Sequence, residues 1–325
     1  MDKKYIFYTM EIDHKDFSFL KNFKWGFCSE KNIFEKNTKN PAYTNIPQPK
    51  NLKILKYSNF NQLLKNSSAD GIYIDTNDSI SDIKKFDYAK RSINEHIPIV
   101  LSAPFFHSAN KAKEIFLLAK RKKVFCSETK SSRFLPKFEE IISMAKNGYL
   151  KNILQISANI SAQSNFDNNN SSSLYNLGVY PAALIYEILG NPNKITAAKE
   201  TNFHNFNYNT NAIFKYYQNY KTGQNEILAF FYCLFKNSNN INSNSKNSNN
   251  LDNYISNNLN FNISILTNND NWEFNETFFE NCNIWQELNE FASLIKRKEF
   301  INPNWAPEDT INVLNILQKI KDNSI

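Results

Sequence analysis

A chain of 325 residues exceeds the usual size of a single hydrophobic core, and 41% hydrophobic with 14% aromatic residues is enough to fill two packed lobes. No stretch approaches the roughly 18 uninterrupted apolar residues of a membrane helix and Met1-Asp2-Lys3-Lys4 leads into no signal-peptide core, so a cytoplasmic protein with no membrane partner is expected. The formal net charge of +7 is spread along the chain and its densest run, Lys120-Arg121-Lys122-Lys123, falls at a helix end where cations complement the dipole, so no nucleic acid is expected as a partner.

Short apolar runs alternate with helical patterns through the first half, the signature of a parallel sheet with crossover helices. The predicted strands are Tyr5–Met10, Trp25–Cys28, Ile54–Tyr57, Gly71–Thr76, Ile97–Ser102 and Lys123–Ser127. Between them Asn59–Asn66, Ile80–Asn94 and Ser108–Arg121 read as helices, the last with Ser108 as N-cap and Ala112, Ile115, Phe116 and Ala119 at helical spacing. A Rossmann-like lobe over residues 1–130 follows.

From Asn152 the alternation changes. Extended stretches at Ile153–Ile160, Ile227–Leu234 and Phe261–Leu266, without crossover helices, predict a large, mostly antiparallel open sheet in an α+β lobe over residues 131–325. That lobe carries a helix at Gly178–Leu189 and a closing helix at Glu308–Lys321. Asn237–Asn250, almost wholly Asn, Ser and Lys, has nothing to bury and is expected to be a disordered insertion. Cys28, Cys126, Cys233 and Cys282 form no C-x-x-C pair, so neither a metal site nor a disulfide framework is indicated and buried free thiols are expected.

Several segments resemble, in order, the Gfo/Idh/MocA oxidoreductase superfamily. Asp70-Gly-Ile-Tyr-Ile-Asp-Thr-Asn-Asp-Ser79 is similar to its D-x-V-x-I-x-T-P-N-x strand, and Ile99-Val-Leu-Ser-Ala-Pro104 to the strand ending in E-K-P. Val124-Phe-Cys-Ser-Glu-Thr-Lys-Ser-Ser-Arg-Phe-Leu-Pro136 resembles the R-F-x-P entry to the second domain, and Asn147-Gly-Tyr-Leu-Lys-Asn152 the S-G-x-L-G-x connector. Leu174-Tyr-Asn-Leu-Gly-Val-Tyr-Pro181 follows the D-x-G-V-Y stretch of the dihydrodiol and xylose dehydrogenase branch. Glu287–Ile295 and Trp305–Ile320 are similar to the closing segments. The resemblance implies an NAD(P)-dependent dehydrogenase of sugar-like or polyol substrates that forms a homo-oligomer through its C-terminal sheet.

Against that pattern the chemistry is depleted. Dinucleotide sites use glycines so that backbone amides can approach the diphosphate, and the first 70 residues contain only Gly26. With Tyr5–Met10 as first strand, the phosphate turn is the acidic Met10-Glu11-Ile12-Asp13-His14. The other register makes Trp25–Lys31 the phosphate loop, with Ser29 and Lys31 where glycines belong; it leaves few residues before Tyr57, so the first is preferred.

The resemblance places Thr76, Asn77 and Pro104 on the cofactor side, with Asn77 standing for the family's proline. The family's proton-transferring lysine is Ala103 here, and alanine moves no proton. Tyr180 takes the place of the tyrosine that acts with that lysine, against a plainer reading as packing. Arg133, Glu128 and Asn176 are the substrate-side residues by the same likeness, although Arg133 and Glu128 can equally be read as partners of each other. His107 is an alternative proton donor whose plainer reading is a capping or solvent residue. Two functions stay open: an oxidoreductase of small-molecule substrates using NAD or NADP, impaired in both steps, or a non-catalytic ligand-sensing or oligomer-partner protein with no cofactor.

Overall fold

The computed structural model describes residues 6–11, 24–29, 53–66, 68–74, 82–164, 173–201, 207–220, 223–237, 258–279 and 284–325. The Asn-rich stretch expected at 237–250 lies outside them beyond Asn237, which ends a strand. The chain divides into two compact units, one of residues 1–130 with 284–311 and one of residues 131–283 with 312–325.

In the first unit the strands are β1 (Ile6–Glu11), β2 (Lys24–Ser29), β3 (Lys53–Tyr57), β4 (Gly71–Ile74), β5 (Ile99–Leu101) and β6 (Cys126–Glu128). Its helices are α1 (Phe60–Asn66), α2 (Asp82–Asn94) and α3 (Ala109–Lys122). The sheet order is β3-β1-β2-β4-β5-β6, with β2, β4, β5 and β6 mutually parallel. α3 starts on Ser108, whose Oγ accepts the Lys111 N–H, and ends on Lys123 in the left-handed region with its four-cation run at the dipole's negative end.

One part of the sequence reading is corrected here. β1 runs antiparallel to both of its neighbours, and β2, not β1, lies beside β4. Only residues 12–23 join β1 to β2; an antiparallel neighbour needs a turn, whereas a parallel one needs a crossover that returns along the strand. Because β1 is reversed, Glu11 pairs with Lys24, the first residue of β2. Glu11 therefore ends β1 at the edge opposite to the C-terminal ends of the parallel strands; Ile12-Asp13-His14, the rest of the expected phosphate turn, lie outside the described residues.

A parallel sheet has to be covered on both faces. Strand alternation sends Gly26, Ile72, Ile74, Ile99 and Leu101 to the face of α1, α2 and α3: a Cβ on Gly26 would touch Ile72 and Leu63 at 3.3 Å. It sends Trp25, Phe27, Tyr73, Val100 and Phe125 to the other face. The cover there is α7 (Ile284–Lys296), through Ile284, Leu288, Phe291, Ala292 and Leu294. Each such side chain stabilises by roughly 1.5–3 kcal/mol when fully buried, and without α7 a row of aromatics would face water. This is why residues 284–311, read from sequence as part of the second lobe, join the first unit.

The second unit contains a 3-10 turn at Ser131–Phe134, α4 (Pro136–Lys146), α5 (Ser173–Asn176), α6 (Val179–Leu189) and most of α8 (Pro307–Asn323). Its strands are β7 (Ile153–Ser164), β8 (Lys194–Thr201), β9 (Asn207–Tyr220), β10 (Gly223–Asn237), β11 (Asn258–Thr267) and β12 (Asn271–Phe279), ordered β12-β11-β7-β10-β9-β8. All pairings are antiparallel except β7 with β10. One face, with Ile156, Ala158, Ile160, Phe231, Phe261 and Phe214, is buried, and Phe138 of α4 reaches Phe261 at 4.8 Å between ring centroids. The opposite face leaves Ile213 and Tyr217 of β9 at 38% and 45% exposure, and Leu266 of β11 is exposed on it too.

Gly178, at the corner between α5 and α6, is a steric necessity rather than a conformational one. Its backbone is ordinary right-handed helix, but an added Cβ would lie 2.3 Å from the Leu174 carbonyl oxygen and 2.7 Å from the Phe231 ring. Gly178→Ala is expected to cost about 1–3 kcal/mol by overpacking and to lower the thermal midpoint by several degrees; an unchanged midpoint would show that the corner has room.

Candidate functional site

Ligands of open parallel sheets bind beyond the carboxyl ends of the strands. That edge is formed here by Ser29, Ile74, Leu101 and Glu128, the last residues of β2, β4, β5 and β6. The turn between β5 and α3 is held at every step. Ser102 N–H donates to the Ile74 carbonyl at 3.0 Å, and the Ala103–Pro104 peptide is cis. Phe105 N–H donates to Glu128 Oε1 at 2.6 Å and His107 N–H to Asp82 Oδ2 at 2.9 Å. Phe105 and Phe106 are fully buried, their rings 4.8 Å apart, and Phe105 stacks on Phe116 of α3 at 4.7 Å. Ala103 alone between Leu101 and Phe106 is partly exposed, so a methyl group is what the turn presents.

Two carboxylates thus clamp this turn, from α2 and from β6. Asp82 also faces the ammonium of the buried Lys85 at 3.8 Å and the His107 imidazole at 4.0 Å. His107 is therefore not the cap of α3, which is Ser108, and its ring leans on Asp82.

Glu128, expected on the substrate side, is 4% exposed and engaged by the protein itself. Besides Phe105, its Oε2 accepts Thr310 Oγ1–H at 2.8 Å and Trp305 Nε1–H at 3.2 Å, while the same indole N–H also reaches Thr310 Oγ1 at 2.9 Å. The Lys130 ammonium lies 3.4 Å from the centre of the Trp305 ring system, and buried Glu287 of α7 accepts the Lys130 backbone N–H. Burial raises the Glu128 pKa above its ordinary 4.5, while the hydrogen bonds from Thr310, Phe105 and Trp305 and the charge of Lys130 act the other way.

In the second unit, Arg133 of the 3-10 turn sits 3.9 Å from Glu187 of α6, a pairing the sequence did not single out. Asn176 ends α5 and Tyr180 is the second residue of α6; both are partly exposed, and the Tyr180 ring meets Phe278 edge-on at 5.7 Å. Pro104 is buried in the β5 turn. Thr76 and Asn77 lie outside the described residues. The structure therefore brings Pro104 and Glu128 together through Phe105, and sets Arg133, Asn176 and Tyr180 around α6. Asp82, Lys130, Glu287, Trp305 and Thr310 were missed, since nothing in their local sequence marks partners so far along the chain.

β2 occupies the central place beside β4 and ends at Ser29; the residues that follow it in sequence, Glu30-Lys31-Asn32, lie outside the described ones. Gly26, the one glycine before Gly71, lies within β2 where its missing side chain admits Ile72 and Leu63 and not a phosphate. Among the described residues no group of three or more His, Cys, Asp or Glu could hold a metal, and no helix is long and apolar enough to cross a membrane.

The Glu128 environment makes a pH prediction. A folded-state pKa above the unfolded one means that the stability this group contributes is complete below pH 4.5 and is lost as pH rises through the folded pKa. The thermal midpoint of the wild type relative to Glu128→Gln should therefore fall as pH is raised from 4.5 toward neutrality. A difference that grows with pH would contradict it.

No protein-family model and no curated protein matches the chain. Solved structures do. The WlbA dehydrogenase from Bordetella pertussis, in complex with NADH and UDP-GlcNAcA, matches with a TM-score of 0.63 at 11% identity, over 82% of this chain and 80% of that one. GenD2 from gentamicin A biosynthesis, in complex with NAD, matches with a TM-score of 0.61 at 9% identity, over 82% and 79%. A lysine-to-alanine mutant of KijD10, a 3-ketoreductase from Actinomadura kijaniata in complex with TDP-benzene and NADP, matches with a TM-score of 0.57 at 13% identity, over 82% and 81%. With a Rossmann-like parallel sheet in one unit and a mostly antiparallel open sheet in the other, the chain has the fold of the Gfo/Idh/MocA-type dehydrogenases and ketoreductases.

Proposed function

We propose that this chain descends from NAD(P)-dependent dehydrogenases of sugar-like substrates and that its own hydride chemistry is impaired. The observation that carries the reading is Ala103: the turn after β5 is pinned by Glu128 and Asp82, yet the position where the family's lysine stands offers a methyl group. Loss of a general acid or base typically costs about 10²–10⁴-fold in rate. In KijD10 a lysine-to-alanine mutant is still seen with NADP and TDP-benzene, so in that protein the exchange is compatible with holding both ligands. The deeper impairment is read from the sequence: no glycine occurs between Gly26 and Gly71, so the stretch that follows β2 lacks the residue type that lets backbone amides approach a diphosphate.

In this reading Tyr180 is the remaining hydroxyl for proton transfer, and Arg133 and Asn176 contact the substrate. Pro104, Thr76 and Asn77 border the place of NAD or NADP. The buried free thiols Cys28, Cys126 and Cys233 support a reducing, cytoplasmic setting.

A second reading, a non-catalytic partner protein, has its own observation in the exposed face of the second sheet. Ile213, Tyr217 and Leu266 remain accessible there, and such a face is covered most simply by a second copy. The chain is expected to scatter light as a homodimer at tens of micromolar; a monomer at that concentration would remove this face from the argument.

Restoring the lysine tests the main reading. Ala103→Lys is expected to yield no substrate-dependent reduction of NADP, because the grip on the diphosphate is still missing. If that single change gave turnover, the turn after β2 would have to bind the cofactor as it stands, and the impairment would lie in the lysine alone.

A further inference from the structure

We propose that Glu128 is the positioning residue of the ligand-facing turn, and that the C-terminal segment controls the order of that turn through it. A carboxyl group removed from water is costly, and a sheet core offers cheaper side chains at that position. What an apolar side chain cannot do is receive three donors from two separate stretches of chain at once. Glu128 does so: Phe105 lies in the turn itself, Trp305 is 177 residues further along the sequence, and Thr310 is 182 residues further.

Only one Glu128 oxygen faces the turn. Oε1 takes the Phe105 N–H, while Oε2 is fixed by the Trp305 indole and the Thr310 hydroxyl, which also bond each other. The orientation of the carboxyl group, and with it the place of Phe105 and of the partly exposed Ala103 two residues before it, is therefore set by Trp305 and Thr310. Lys130 tightens the arrangement by capping the Trp305 ring while its backbone is tied to Glu287 of α7. Asp82 holds the far end of the turn at His107 independently of the C-terminal segment, so releasing Glu128 should loosen the middle of the turn and leave its end in place.

The inference rests on the ligand-facing role proposed above, and two readouts on the full chain separate the two claims. Thr310→Val keeps the shape but removes the hydroxyl. Hydrogen exchange at Phe105 is expected to rise by about tenfold, the equivalent of one ordinary hydrogen bond, with the remainder of the β-sheet in that unit unchanged. Titration with UDP-GlcNAcA should show affinity weakened several-fold, and Thr310→Ser should restore both. Exchange that stays the same, or that rises equally across the unit, overturns the proposal, as does a loosened turn with undiminished affinity. If the wild type takes up no UDP-GlcNAcA, it is the sugar-ligand reading that fails, and the exchange pattern alone still decides whether Glu128 controls the turn.

Discussion

A parallel sheet cannot leave one face in water, and in this chain three helices between the strands cover only one face. The other, lined by Trp25, Phe27, Tyr73, Val100 and Phe125, is closed by α7. Much of the first unit follows from that constraint. The return of the chain to cover the sheet carries Glu287, Trp305 and Thr310 to the end of β6, and there they meet Lys130 and Glu128. The turn after β5 inherits its rigidity from this arrangement. The hydrophobic need of a sheet face and the geometry of a ligand-facing turn are thereby one problem with one solution.

The proposed function asks of the same lobe that a scaffold and its chemistry separate. The buried Pro104, the aromatics behind it and hydrogen bonds to the carboxylates of Glu128 and Asp82 hold the turn. The residue displayed is nevertheless alanine. At β2, Gly26 is explained by packing under α1, and the sequence has no further glycine before Gly71. Gly178 shows the same at the α5–α6 corner, where the glycine of the G-V-Y match is explained by the Leu174 carbonyl and Phe231 without any ligand.

What was legible in the sequence was what local pattern encodes. Apolar runs such as Ile99–Leu101 and the capped repeat of α3 gave strand and helix directly, and the ordered motifs gave the two-lobed architecture. The direction of β1 was not legible, because hydrophobicity fixes that a strand is buried and not which way it runs. β8, β9 and β12 escaped notice since their Asn, Lys and Glu residues alternate over the open face and dilute the apolar signal. The partners of Glu128 were not legible for a different reason: Trp305 and Thr310 become its neighbours only after α7 has closed the sheet.

The central claim is that the fold is retained while the grip on a dinucleotide is lost, and direct binding decides it. The four Trp residues include Trp25 in β2, so bound NADPH would quench their emission and gain fluorescence by energy transfer. The account predicts no saturable transfer up to millimolar NADPH. Saturable transfer at micromolar concentration would show that Ser29, Lys31 and their neighbours hold a diphosphate without glycine, and the claim of a lost cofactor site would be contradicted.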